Sequence, residues 1–141
     1  MRTLFLVSIG LLIGLFALGC GERRFNTKGR IILDGEPFVT KENESVRIFF
    51  LPMDESGAAK ESYAAEYNGV EGTFTVVGKD RKGLPPGKYR ISIQLYARGG
   101  DLFKNRLAGL KSPFTCEVAD AKTEVTVDLD EAEDVVAAAE R

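Results

Sequence analysis

The 141-residue sequence has no histidine and no tryptophan, and it has only two cysteines. The missing histidine excludes most. Without an imidazole neither a Ser-His-Asp triad nor a thiol–imidazole pair can be assembled, and a zinc site loses its commonest ligand. No charge of one sign dominates either. Nineteen basic side chains face 21 acidic ones, a net of −2, so there is no basic field of the kind that gathers nucleic acid. No phosphate-binding loop is present: residues 78–87 are rich in glycine but lack the Gly-Lys-Ser/Thr ending that holds phosphates and metal. Carboxylate catalysis would need Asp34, Asp80 and Asp101 to converge, yet all three sit at turns, where aspartate usually bonds its own backbone. No catalytic residue, cofactor or metal is therefore assigned, and the chain is expected not to be an enzyme.

What is present begins with an export pattern. Arg2 gives a positive start and residues 4–18 an apolar run broken only by Ser8, Gly10 and Gly14, after which Gly19 precedes Cys20. The run is too short at about 1.5 Å per residue to fill a hydrocarbon core of about 30 Å, which favours a cleaved signal over a permanent span. Ala17-Leu18-Gly19-Cys20 resembles the lipobox of bacterial lipoproteins. The resemblance implies that Cys20 is acylated and becomes the first residue of the mature chain, holding it to membrane lipid. Ala17 and Leu18 depart from the usual residues of that motif, and an ordinary signal peptide or an uncleaved anchor are the competing readings. By the same resemblance, Gly21 in place of aspartate points to the outer membrane. With Cys20 lipidated, Cys116 has no partner and no disulfide is expected. Cys116 alternates with Phe114 and Val118 and reads as a small core residue, with a redox role as the alternative.

Beyond Cys20 the chain organises as a lipidated linker over 20–27, one β domain over 28–130 and a C-terminal helix or tail over 131–141. Residues 28–33 end at the turn dipeptide Asp34-Gly35, and the following segment carries Pro37, which suits an edge. Residues 45–51 carry bulk on both faces and read as a central strand. Tyr63, Ala65 and Tyr67 alternate in the next strand, and Phe74 and Val76 point inward from the one after, with Thr73 and Thr75 outward. The clearest strand is 88–96, where Tyr89, Ile91, Ile93 and Leu95 share a face. Two more, over 114–118 and 122–129, close the sheet. Asp130 then looks like the N-cap of a short helix. About seven strands joined by tight turns are the pattern of an all-β, antiparallel, Ig-like β-sandwich.

Four stretches sharpen this. Gly29-x-Ile31-x-Leu33-Asp34-Gly35-x-Pro37-Phe38, residues 46–52, Gly72-Thr73-Phe74 and Leu84-Pro85-Pro86-Gly87-Lys88-Tyr89 together resemble the carboxypeptidase regulatory-like domain. That resemblance implies a transthyretin-like sandwich of the kind found in bacterial envelope lipoproteins. Members of the wider group that hydrolyse 5-hydroxyisourate, or that hold iron, use histidines which this chain lacks.

The expected function is a non-catalytic, membrane-anchored envelope module for protein interaction or structural support. The candidate contact surface is the long connection over 97–113, where Leu102, Phe103, Leu107 and Leu110 mix with Arg98, Lys104, Arg106 and Lys111. The same apolar residues could instead fold back as a lid over one end of the core. The alternative function is a small-molecule or glycan receptor that uses Tyr63, Tyr67 or Tyr96 for stacking. An adhesin-like lysine–asparagine isopeptide is a third, weaker idea.

Overall fold

A computed structural model describes residues 21–53 and 61–137. Residues 1–20, on which the signal and lipidation readings fall, lie outside the described residues. The domain is all-β and mostly antiparallel. Its strands are β1 (Lys28–Leu33), β2 (Glu36–Pro37), β3 (Ser45–Pro52), β4 (Tyr63–Asn68), β5 (Thr73–Val76), β6 (Gly87–Ala97), β7 (Gly100–Asp101), β8 (Thr115–Val118) and β9 (Glu124–Asp128). One short helix, α1 (Glu133–Ala137), follows.

All nine strands belong to one hydrogen-bonded sheet. The ladder does not divide into the two separate sheets of a sandwich; it curls as a half-barrel. β9 pairs in parallel with one edge of β1, while β5 and β2 pair antiparallel with the other edge. The order then runs through β4, β3 and β6, whose far edge takes both β7 and β8. Seven ranks laid flat would hold β8 and β9 about 29 Å apart at about 4.8 Å per rank. Yet β8 and β9 are joined by residues 119–123 alone, a link that reaches at most about 22 Å when extended. The sheet must therefore curl, and the core fills the inside of the curl.

Alternation decides which residues go in. Ile31, Ile48, Phe50, Phe74, Val76, Ile91, Ile93, Leu95, Val125 and Val127 are buried in one cluster, with Tyr89 edge-on to Phe50 and Tyr63 edge-on to Tyr89. β3 is central, as its two bulky faces suggest, and lies between β4 and β6. Gly29 is where β1 passes closest to the core: a Cβ there would meet the Phe74 ring and the Val125 carbonyl oxygen, both at 2.3 Å. Phe114 and Val118 are buried and Cys116 is half-buried beside them, which is the packing role its alternation suggests.

Two local expectations change. Asp130 is not the helix cap. Asp128 accepts from the Asp130 amide at 3.0 Å and opens a 3₁₀ turn over Leu129–Ala132, and α1 follows that turn. The Asp130 carboxylate instead receives the Asp34 amide of the β1–β2 turn. This is possible only because β9 lies beside β1, a pairing between the first and last strands that no local pattern encodes. The linker is also shorter than 20–27. Phe25 and Leu84 exchange two backbone hydrogen bonds of 2.9 and 3.0 Å, Thr27 accepts from the Val76 amide at 2.7 Å, and Thr27 is buried. Residues 25–27 thus form a strap on the domain, and only 21–24 form an exposed arm.

Candidate functional site

The connection over 97–113 is bound to the sheet along most of its length. Its backbone runs beside the free edge of β6: the Ile91 and Ile93 amides donate to the carbonyls of Phe114 and Leu107, at 2.9 and 2.8 Å. Asp101 organises the turn. Its Oδ1 accepts from the amides of Leu95 and Phe103, and its Oδ2 from the Asn105 amide at 2.8 Å. Lys104 and Asn105 both take positive φ there. Ser92, on the outer face of β6, is covered by the connection and receives the Gly109 amide at 2.8 Å.

The candidate contact residues separate accordingly. Phe103 and Leu107 are 2% and 1% exposed and belong to the core, so they offer nothing to a partner as the chain stands. They close one end of the curl, as the lid reading describes. Leu102 is half-buried, Arg98, Lys104 and Arg106 are exposed, and Leu110 is 66% exposed. Of the four apolar side chains in the patch, only Leu110 stands out into solvent.

The tyrosines offered for stacking are engaged. Tyr63 is buried and donates to Glu61, Tyr67 donates to the Phe38 carbonyl, and Tyr96 lies under the Arg47 guanidinium, 4.6 Å from its ring centroid. Burial, aided by the Glu61 carboxylate, raises the Tyr63 phenol above its ordinary pKa. Burial does the same more strongly to Tyr89, which donates to the Pro85 carbonyl. Burial also pushes the Cys116 thiol up to about 11, away from the thiolate a nucleophile needs. The turn aspartates do not converge: the Asp101 carboxylate is taken up by three backbone amides. No cluster of three or more metal-ligating side chains occurs among the described residues.

The structure adds two features that no sequence pattern singles out. A groove of about 400 Å³ lies across β9, β1 and β5. Register places Glu124, Lys28 and Thr75 in one row and Thr126, Arg30 and Thr73 in the next. Arg30 Nε reaches Thr126 Oγ1 at 3.4 Å, and no ion pair involves Lys28 or Arg30 among the described residues. Along each strand these are ordinary outward polar positions; only the pairing of three strands gathers them. The second feature is the end where the chain enters. There Arg24, Glu61, Ser62, Tyr63, Lys79 and Asp80 line one depression.

Among the described residues no helix is long and apolar enough to cross a membrane. Comparisons with protein-family models, curated proteins and solved structures find no match to this chain.

Proposed function

We propose that the protein is an exported lipoprotein of the cell envelope, anchored to membrane lipid through acylated Cys20, whose β domain is a non-catalytic module for protein interaction or structural support. The observation that carries this reading is the N-terminal geometry. Residues 25–27 are strapped to the domain, while residues 21–24 are exposed and belong to no strand of it. A cysteine placed just before such an arm can be acylated without disturbing the fold. The signal-like segment upstream and the lipobox-like Ala17-Leu18-Gly19-Cys20 support the same reading, and the turn motifs shared with carboxypeptidase regulatory-like domains suit an envelope module. The outer membrane is the favoured site. Intact mass of protein isolated from envelopes tests the anchor: a mature chain starting at Cys20 with added acyl mass is expected, and an unmodified thiol there would sink it.

The groove over β9, β1 and β5 favours a second reading, a small-molecule or glycan receptor. With two cations, three threonine hydroxyls and one carboxylate, it suits a polar ligand bearing an anionic group. The stacking tyrosines do not contribute, because they are engaged elsewhere. Amide chemical-shift mapping with uronic acids would reveal it; shifts confined to β1, β5 and β9 are expected, and none would remove the reading.

A further inference from the structure

We infer that the end of the domain from which the N-terminal arm emerges is itself a lipid-facing surface, docking on anionic headgroups so that the strands stand away from the bilayer. The inference rests on the lipid anchor proposed above and adds an orientation and a second contact.

The topology sets which loops share that end. β1, starting at Lys28, is antiparallel to β5, β5 to β4, and β3 to both β4 and β6. The start of β1 therefore lies at the same end as the end of β5, the start of β6 and the turn 119–123 that leads into β9. The strap then ties two basic segments together. The Phe25–Leu84 bridge ties the chain just after residues 22–24 to the segment that carries residues 79–82, and Arg24, Lys79, Asp80 and Glu61 line one depression. The two segments carry Arg23, Arg24, Lys79, Arg81 and Lys82 against Glu22 and Asp80, a net of +3. Arg24 is paired with Glu22 and Arg81 with Glu66; Arg23, Lys79 and Lys82 are exposed and form no ion pair among the described residues. Lys28, Lys88 and Lys122 around the same end are balanced by Glu61, Glu117, Asp120 and Glu124, so the positive excess is confined to the two strapped segments. The sequence joining β3 to β4 adds Asp54, Glu55 and Lys60.

One corner of the opposite end is acidic, while the 97–113 connection at that end carries Arg98, Lys104, Arg106 and Lys111. Asp34 and Glu36 of the β1–β2 turn lie beside the segment after β9, tied by the Asp34–Asp130 hydrogen bond. Together with Asp128, Asp130, Glu131, Glu133 and Asp134 they make a corner of seven carboxylates with no cation among residues 34–36 and 128–134. An anionic surface attracts the basic cluster and repels the acidic corner, so both act in the same sense.

Distance makes the effect usable. Because residues 25–27 are fixed to the domain, the arm is residues 21–24 alone and reaches at most about 14 Å. That holds the basic pole near the screening length of about 8 Å at physiological salt, where headgroup charge is still felt. A free seven-residue linker would reach about 25 Å and let the domain tumble outside that layer.

The test uses the full acylated protein, purified from envelopes and reconstituted in vesicles of phosphatidylcholine, with or without about a third phosphatidylglycerol. A fluorophore is placed at A121C, in the turn at the basic end, or at V70C in the turn between β4 and β5 at the other end, and quenched by a headgroup-located quencher. On anionic vesicles A121C quenching is expected to exceed V70C quenching by about threefold or more, the gap closing in about 0.5 M sodium chloride and in the K79E/K82E variant. Salt leaves the protein unaltered, so a folding defect in the variant cannot mimic both results. Protein that floats with both vesicle types but shows the same quenching ratio on each overturns the orientation alone. Protein that fails to float with neutral vesicles overturns the anchor, and the orientation with it.

Discussion

Two long irregular stretches close the two ends of this curled sheet, and they do so by different means. Residues 77–86, at the end where the chain enters, are held mainly by backbone, with Leu84 as a buried side-chain anchor. The Gly83 amide donates to the Val77 carbonyl, Leu84 bridges Phe25, and Gly83 takes φ of +76° where a Cβ would lie 2.1 Å from the Phe25 carbonyl oxygen. Residues 97–113 at the other end add side-chain anchors to their backbone bonds with β6: Phe103 and Leu107 sit in the core, and Asp101 gathers three amides. A backbone closure brings chain segments into close approach and leaves most of their side chains in solvent, as with the exposed Lys79 and Lys82. A side-chain closure uses up the residues that a contact surface would need.

Breaking the side-chain closure should cost most. Phe103→Ala is expected to lower stability by about 3–5 kcal/mol, and Leu107→Ala by about 2–5 kcal/mol, in urea unfolding. Values under about 1 kcal/mol would mean the lid is not part of the core. Gly83→Ala should break the backbone closure at a cost of about 1–3 kcal/mol from the positive φ, with the clash added. Its signature is faster amide exchange at Phe25 and Leu84, with the 97–113 connection unchanged. Asp101→Asn leaves fewer acceptor sites for three amides and should cost about 1–2 kcal/mol, read by thermal unfolding.

A smaller effect separates the core edge from both closures. Burial holds the Cys116 thiol at about 11 in the folded chain, against 9.0 for the ordinary group. In that window the folded state keeps a proton that the unfolded state has lost, so stability falls as pH rises from 9.0 towards 11. Cys116→Ala should remove that part of the slope in unfolding midpoints measured across the window. The smallest change is Leu110→Ser, expected to stay within about 0.5 kcal/mol. If it abolishes capture of an envelope partner while Phe103→Ala acts only through stability, the contact surface of this end narrows to the exposed side of the connection.

Much of the fold was legible because strands carry a strict period of two. The inward set Tyr89, Ile91, Ile93 and Leu95, the edge position of Pro37 and the central place of residues 45–51 follow from alternation and turn chemistry. The connection over 97–113 was legible only as a choice between lid and surface, since Phe103 and Leu110 look alike in sequence. What separates them is whether β6 has a free edge for the chain to run along. Asp130 was misplaced as a cap for a related reason: a carboxylate after a strand suits a cap locally, and its actual donor is 96 residues away. The groove residues Lys28, Arg30, Thr73, Thr75 and Thr126 gave no signal, being polar positions on three separate strands.

By itself the sequence determined the strands, which side of each is apolar, the turns between them and the absence of imidazole chemistry, because each depends on residues within a few positions of one another. The tertiary structure alone decided that the sheet curls into a half-barrel, that β1 pairs with β9, that Phe25 straps onto Leu84, and that a basic cluster and an acidic corner stand at opposite ends. Those outcomes depend on contacts between residues dozens of positions apart, where many arrangements satisfy the same local pattern and only the burial of one shared core selects among them.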